Sequence, residues 1–170
     1  MYYEAIFKTL SAHKVDYLIA GGMAVNLYGV PRFTKDLDIM VEPSPGNLER
    51  LRRALVSLNY KPKIPVSLEA FLYPRNWEKW KKEKGMVAFS LHRQDSPFEE
   101  IDLLIDVPVR YPDAKKRETI LRAGSLRLHL VSINDLITMK KKAGRQQDLS
   151  DIEALNKVKR LNEKSKSKKK

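Results

Sequence analysis

Tyr17-Leu-Ile-Ala-Gly-Gly-Met-Ala-Val-Asn-Leu-Tyr-Gly-Val-Pro-Arg-Phe-Thr-Lys-Asp-Leu-Asp-Ile-Met-Val41 decides how this chain is read. Tyr17 to Ala20 is short and apolar, as a buried strand is. Gly21-Gly22 then interrupts it with two residues that bend freely and let the main chain approach a ligand closely. Met23 to Tyr28 resumes as a short helix that ends at Gly29 and Pro31. A helix that starts after a glycine turn presents free N–H groups suited to a phosphate. Next, Leu37, Ile39 and Val41 alternate with Asp36, Asp38 and Met40. Strand side chains alternate between faces, so Asp36 and Asp38 share one. Carboxylates that close repel each other unless a cation lies between them. Mg²⁺ suits the place, because it takes one or two carboxylates together with phosphate oxygens. A glycine pair alone marks many ordinary turns, and Asp-x-Asp alone decorates many half-exposed strands. In succession they predict a phosphate cradle followed by a metal clamp.

Gly21-Gly22, Ala24, Gly29, Arg32, Thr34, Asp36 and Asp38 resemble the Gly-Gly…Gly-x-x-Arg-x-Thr-x-Asp-x-Asp signature of small nucleotidyltransferases in the DNA polymerase beta superfamily. The resemblance is strongest to minimal members of the abortive-infection toxin type. It implies a mixed α+β fold, with a small twisted mixed sheet flanked by helices and C-terminal helices packed on it. It implies that Asp36, Asp38 and a third carboxylate on the neighbouring strand are catalytic and hold metal, Mg²⁺ as two ions or Mn²⁺ in its stead. Ile101-Asp102-Leu103-Leu104 matches the place of the third, so the resemblance selects Asp102. Alternation by itself puts Glu100, Asp102 and Asp106 on one face. Nucleotide-binding roles are implied for Gly21, Gly22, Met23, Arg32 and Thr34. Better-known members carry Gly-Ser at the turn; here Gly22-Met23 follows Gly21, and the hydroxyl that helps hold a triphosphate is missing. Near the C-terminus, Lys140, Arg145, Asp148 and Asp151 resemble the Lys…Arg…Asp…Asp motif of the toxin-like branch. That implies Lys140 and Arg145 near the nucleotide phosphates; Asp148 and Asp151 read equally as acids paired with Arg145 at a helix start.

Around this centre, Met1 to His13 predicts an opening helix with Ala5, Ile6 and Leu10 on one stripe. Ser44-Pro45 predicts a helix start, followed by an apolar face of Leu48, Leu51, Leu55 and Leu58. Tyr60 to Pro65 is extended, and Ser67 caps a turn of helix through Phe71. Arg75 to Lys84 carries Trp77 and Trp80 among lysines. That pattern suits stacking on RNA bases, but a spacing of three also suits simple packing on one helix face. Met86 to His92 and Glu99 to Val107 predict strands on either side of a turn at Gln94 to Pro97. Tyr111 to Glu118 is a polar connection with helical character. Thr119 to Val131 predicts a hairpin around Ala123-Gly124-Ser125, and Ser132 with Asp135 a capping box for a helix that ends at Gly144. Leu149, Ile152, Leu155, Val158 and Leu161 mark a last amphipathic helix.

The 170 residues, 42% of them hydrophobic, suffice for one core. Residues 1–161 are expected to form one domain, and 162–170, with five lysines and one glutamate, a disordered basic tail. There is no cysteine, so disulfides and thiolate metal sites are excluded. No apolar run reaches membrane-spanning length and no signal-peptide pattern opens the chain, so the expected location is the cytoplasm, with no membrane partner. A net charge of +12 favours a polyanion. The expected activity is Mg²⁺-dependent transfer of an NMP from an NTP to a hydroxyl acceptor, RNA foremost, with release of pyrophosphate. The toxin-like branch implies a cognate antitoxin. The alternatives are a noncatalytic nucleotide- or RNA-binding module on the same fold, and an antibiotic-modifying nucleotidyltransferase. The positive charge argues against a cationic drug.

Overall fold

The computed structural model describes residues 3–167. Leu18, Ile19, Leu37, Ile39, Ile101 and Leu103 have no exposed surface, and the strands that carry them form the middle of a mixed sheet. These strands are β1 (Tyr17–Ile19), β2 (Asp36–Val41) and β5 (Ser96–Leu104). β3 (Tyr60–Pro62) and β4 (Ala88–Arg93) complete one side, β6 (Thr119–Ala123) and β7 (Leu126–Leu130) the other, in the order β3-β4-β5-β2-β1-β7-β6. β2 is antiparallel to β1 and parallel to β5. The parallel pairing sets Asp36 beside Glu100 and Asp38 beside Asp102.

Helices α1 (Glu4–Ala12) and α3 (Pro45–Ser57) bury Ile6, Phe7 and Leu10 and Leu48, Leu51 and Leu55. Phe7 takes the place expected for Ala5, which is exposed, because the larger ring gains more from burial. α4 (Leu68–Phe71) is capped by Ser67, whose hydroxyl accepts from the Ala70 N–H. In α5 (Pro74–Lys84), Trp80 stacks on Phe89 at 5.4 Å and Trp77 on Phe71 at 4.6 Å. The Trp77 ring N–H also donates to the Phe71 carbonyl at 2.7 Å. Both tryptophans are therefore packing residues, unavailable for stacking on bases.

Three boundaries differ from expectation. The glycine pair is not a turn ahead of a helix. It is the first turn of α2 (Gly21–Leu27), with Ala20 at the N-cap. β5 starts directly after the Gln94-Asp95 turn and stops at Leu104, not Val107. It stops there because the Ile105 and Asp106 N–H groups both turn to the Val87 carbonyl, at 3.0 and 3.2 Å. α6 (Tyr111–Lys116) leads into the β6–β7 hairpin, and α7 (Ile133–Ala143) follows, capped by Ser132 and ended by Gly144 at φ +65°. α8 (Gln146–Ser167) buries Leu155 but leaves Leu149 and Leu161 exposed. It passes through the boundary expected at 161/162, because lysine and glutamate are strong helix formers that extend a solvated helix. The rest of the expected tail, residues 168–170, lies outside the described residues. Among the described residues no helix is long and apolar enough to cross a membrane.

Candidate active site

The site begins at the junction of β1 and α2. Gly21 adopts φ +55°, and a Cβ there would lie 1.8 Å from Oδ2 of Asp38. The backbone is thus pressed against the carboxylate, and only glycine satisfies both the conformation and the contact. The Ala20 N–H donates to the Asp38 carbonyl at 2.9 Å, locking the end of β1 to β2. At Gly22 a Cβ would lie 2.5 Å from the Thr34 hydroxyl, so that hydroxyl fills the space a side chain at 22 would use.

Asp36, Asp38 and Asp102 come together on one sheet face, and the charge of Asp102 acts on both of the others. Burial, then the charges of Asp102 and Asp36, push the Asp38 carboxyl up to about 6, against the Gly22 N–H and the Lys140 charge, which pull it down. Asp38 keeps a partial window to solvent. Asp36 is raised by burial first, then by the charges of Asp102 and Glu100. Its Oδ1 is buried with no hydrogen-bond partner. A buried carboxylate oxygen without a donor, beside like charges, is a cation-shaped deficit. Among the described residues no group of three or more His, Cys, Asp or Glu side chains forms a ready-made metal cage. The donor set instead fits an ion that takes two carboxylates and completes its shell from a phosphate ligand.

An open cavity of about 470 Å³ adjoins Gly21, Asp38 and Asp102. Lys140, Lys142 and Arg145 stand in its lining among the carboxylates of Asp38, Asp102, Asp106 and Asp148, and Val107, Pro108, Leu136 and Met139 give it an apolar wall. This combination suits a nucleotide, with charge for phosphates and an apolar surface for a base.

The family model described as "Nucleotidyl transferase AbiEii toxin, Type IV TA system" matches residues 5–164. The chain belongs to this family. The fold also occurs in the lincomycin-bound lincosamide antibiotic adenylyltransferase LnuA, at 14% identity and a TM-score of 0.59, over 90% of this chain and 93% of that one. An antigenic nucleotidyltransferase-like protein from Paracoccidioides brasiliensis shares it at 17% identity and a TM-score of 0.51, over 88% and 71%. No curated protein matches the chain. The protein is a nucleotidyltransferase with the mixed α/β fold of that family, and its general reaction is NMP transfer.

In this nucleotidyltransferase the rival third carboxylates are otherwise engaged. Glu100 is clasped by Lys35 and Lys63, whose hydrogen bonds hold it down to about 2. Asp106, beyond the end of β5, pairs with Lys142 at 2.7 Å. Asp102 stands opposite Asp38.

Lys140 does not reach toward solvent as a mobile phosphate clamp. It is 4% exposed and held between Asp148 at 3.1 Å and Asp151 at 2.6 Å. Burial opposes charge on both acids, yet hydrogen bonds from Arg145 and Lys140 to Asp148, and from Lys140 and Gln147 to Asp151, keep their pKa values below the usual range. Arg32 likewise turns from the cavity to pair with Asp151, while its backbone N–H donates to Asn26 at 2.9 Å. It ties the loop before β2 to α8. Arg145 stays largely exposed at the rim, bonded to Asp148 at 2.8 Å. Thr34 packs under Gly22, and Met23 packs against the core rather than lining the cavity. The sequence reading missed the apolar wall, because Leu136 and Met139 on α7 are indistinguishable in sequence from core positions.

Proposed function

We propose that the cavity beside Asp38 transfers an NMP from an NTP to the hydroxyl of an RNA, releasing pyrophosphate. The observation that carries this reading is the Asp36–Asp38–Asp102 cluster, with its unpartnered buried oxygen and upward-shifted carboxyls, set against a glycine backbone with no room for a side chain. Asp36 and Asp38 would hold Mg²⁺, or Mn²⁺ in its place, with Asp102 sharing a second ion. When bound, such ions would neutralise phosphate charge and lower the pKa of the attacking hydroxyl. Gly21 offers bare backbone to the phosphates, while the Gly22 N–H holds the Asp38 carboxylate. Arg145 and Lys142 offset the charge that develops there, while Lys140 acts through Asp148 and Asp151 by holding α7 and α8 at the rim. Arg32 and Thr34 position the loop that delivers Asp36.

RNA is preferred as acceptor because the chain as a whole carries a net charge of +12. A small-molecule acceptor is the second reading, supported by the apolar wall and by the drug-modifying activity of LnuA. A cognate antitoxin and a cytoplasmic setting complete the proposal, supported by the family's description as a type IV toxin–antitoxin component. The test incubates the protein with each labelled NTP, Mg²⁺ and RNA or cell lysate, with Asp38→Asn alongside. Mg²⁺-dependent label on RNA, absent with Asp38→Asn, is the expected result. Label confined to small molecules selects the second reading. No label from any NTP leaves a noncatalytic nucleotide-binding module and refutes the proposal.

A further inference from the structure

A second open cavity, of about 540 Å³, lies at the opposite end of β1 from Gly21, between the α1–β1 turn, α3 and β7. It is built around Arg50. The Arg50 Nε donates to the Lys14 carbonyl at 3.0 Å and Nη2 donates to Oδ1 of Asn47 at 3.1 Å. Asn47 is fully buried and bonded throughout. Its Oδ1 also accepts from the Asp16 N–H at 2.7 Å, and its Nδ2 donates to the carbonyls of Asp16 and Glu42 at 2.9 and 2.8 Å. Lys14 is held at φ +54°, a conformation uncommon outside glycine. The guanidinium is therefore fixed in place by neutral oxygens.

The other cations of the cavity add to the charge of Arg50. Among the described residues no carboxylate pairs with Lys14, Arg50 or Arg127, and Lys14 and Arg127 are exposed. The one carboxylate in the lining, Asp16, is already taken by Lys115 at 2.8 Å. His129 has its Nδ1 on Glu118 at 2.7 Å. A structural arginine at an elbow between helices normally meets a carboxylate. One braced from behind by carbonyl and amide oxygens, with two further unpaired cations at its mouth, is arranged for a tetrahedral oxyanion.

We propose that this cavity is a second anion site, with Arg50 as its central ligand and Lys14 and Arg127 as its flanks, that receives a phosphate group. The group comes from an RNA backbone or from a small phosphorylated compound. The site lies at the other end of the buried strand β1 from the transfer centre. The site stands independently of the chemistry at Asp36 and Asp38.

Inorganic phosphate is titrated into the full-length protein while the side-chain NMR signals of Arg50 and His129 are followed. A short single-stranded RNA is titrated in parallel at several salt concentrations. Both are repeated with Arg127→Glu, which alters an exposed, unpaired side chain and leaves the thermal midpoint unchanged. We expect saturable shifts at Arg50, a loss of about tenfold in affinity with the variant, and a salt slope for RNA reduced by about one. Weakening of RNA binding, with or without weakening of phosphate binding, assigns the site to the RNA backbone. Weakening of phosphate binding alone assigns it to a small phosphorylated ligand. Absence of a saturable shift at Arg50 up to tens of millimolar phosphate, with RNA bound equally by both proteins, overturns the proposal.

Discussion

Replacing Gly21 by alanine adds one methyl group, and the structure states what it meets. The new Cβ would lie 1.8 Å from Oδ2, 2.4 Å from Cγ and 2.8 Å from Cβ of Asp38. No adjustment of a few tenths of an ångström relieves this, so Asp38 must rotate away. Two costs follow. Holding alanine at φ +55° costs about 1–2 kcal/mol. Removing the Asp38 carboxylate from the Gly22 N–H gives up a charge-assisted contact worth about 1.5–3 kcal/mol. Together these come to about 2.5–5 kcal/mol, less whatever Asp38 regains by meeting solvent. Gly22→Ala is the internal contrast. Its Cβ meets the Thr34 hydroxyl at 2.5 Å and the Thr34 Cβ at 2.9 Å, so the double variant Gly22→Ala/Thr34→Ala, which removes only the closer contact, should recover part of the stability lost in the single one. The assays are urea unfolding of the metal-free protein and label transfer from NTP. We expect Gly21→Ala to lose about 100-fold or more in transfer, the equivalent of about 2.7 kcal/mol in the barrier, and to be rescued by no change at Thr34. A Gly21→Ala protein with wild-type stability and transfer would refute the reasoning.

Asp102→Asn removes a charge that raises both Asp36 and Asp38. In EDTA the melting temperature should rise by about 2–4 °C, for about 1 kcal/mol, while transfer is lost; a fall in melting temperature contradicts the repulsion. The pH dependence of the metal-free protein has a definite sign. Asp38 titrates near 6 when folded and near 4 when unfolded, so between these values the folded state holds the extra proton. Stability from this group is therefore lost as pH rises from about 4 to 6 and is flat above, by at most about 3 kcal/mol. Subtracting the Asp38→Asn profile isolates it from acids such as Glu100, whose lowered pKa acts in the opposite sense. Mg²⁺ should restore the loss at pH 7.5, and a flat difference profile contradicts the reading. Lys140→Met leaves Asp148 and Asp151 buried without their shared cation and should cost about 3–5 kcal/mol in urea unfolding. A loss below about 1 kcal/mol would show that the network is dispensable.

What the sequence reveals about this protein depends on whether a contact is local or distant. Asp36 and Asp38 lie two residues apart in a strand, so their shared face follows from the pleat alone. The place of Asp102 needed a resemblance, because Glu100 and Asp106 obey the same alternation. What sets those two apart from Asp102 is their pairing with Lys35, Lys63 and Lys142, which reach them from other elements. Lys140 is a related case: the motif implies a cation near the phosphates, and only the return of α8 supplies the two carboxylates between which it is buried. Arg32 matches the signature and suits bracing the loop equally well, but its partner Asp151 lies far along the chain, so which acid it braces against is not legible in the sequence. The glycine pair is the reverse case. Its flexibility was legible, but the reason for it was not: Gly21 is glycine because the Asp38 carboxylate occupies the space where a side chain would begin. Signature glycine and signature aspartate are therefore two halves of one contact, and substituting either disturbs the other.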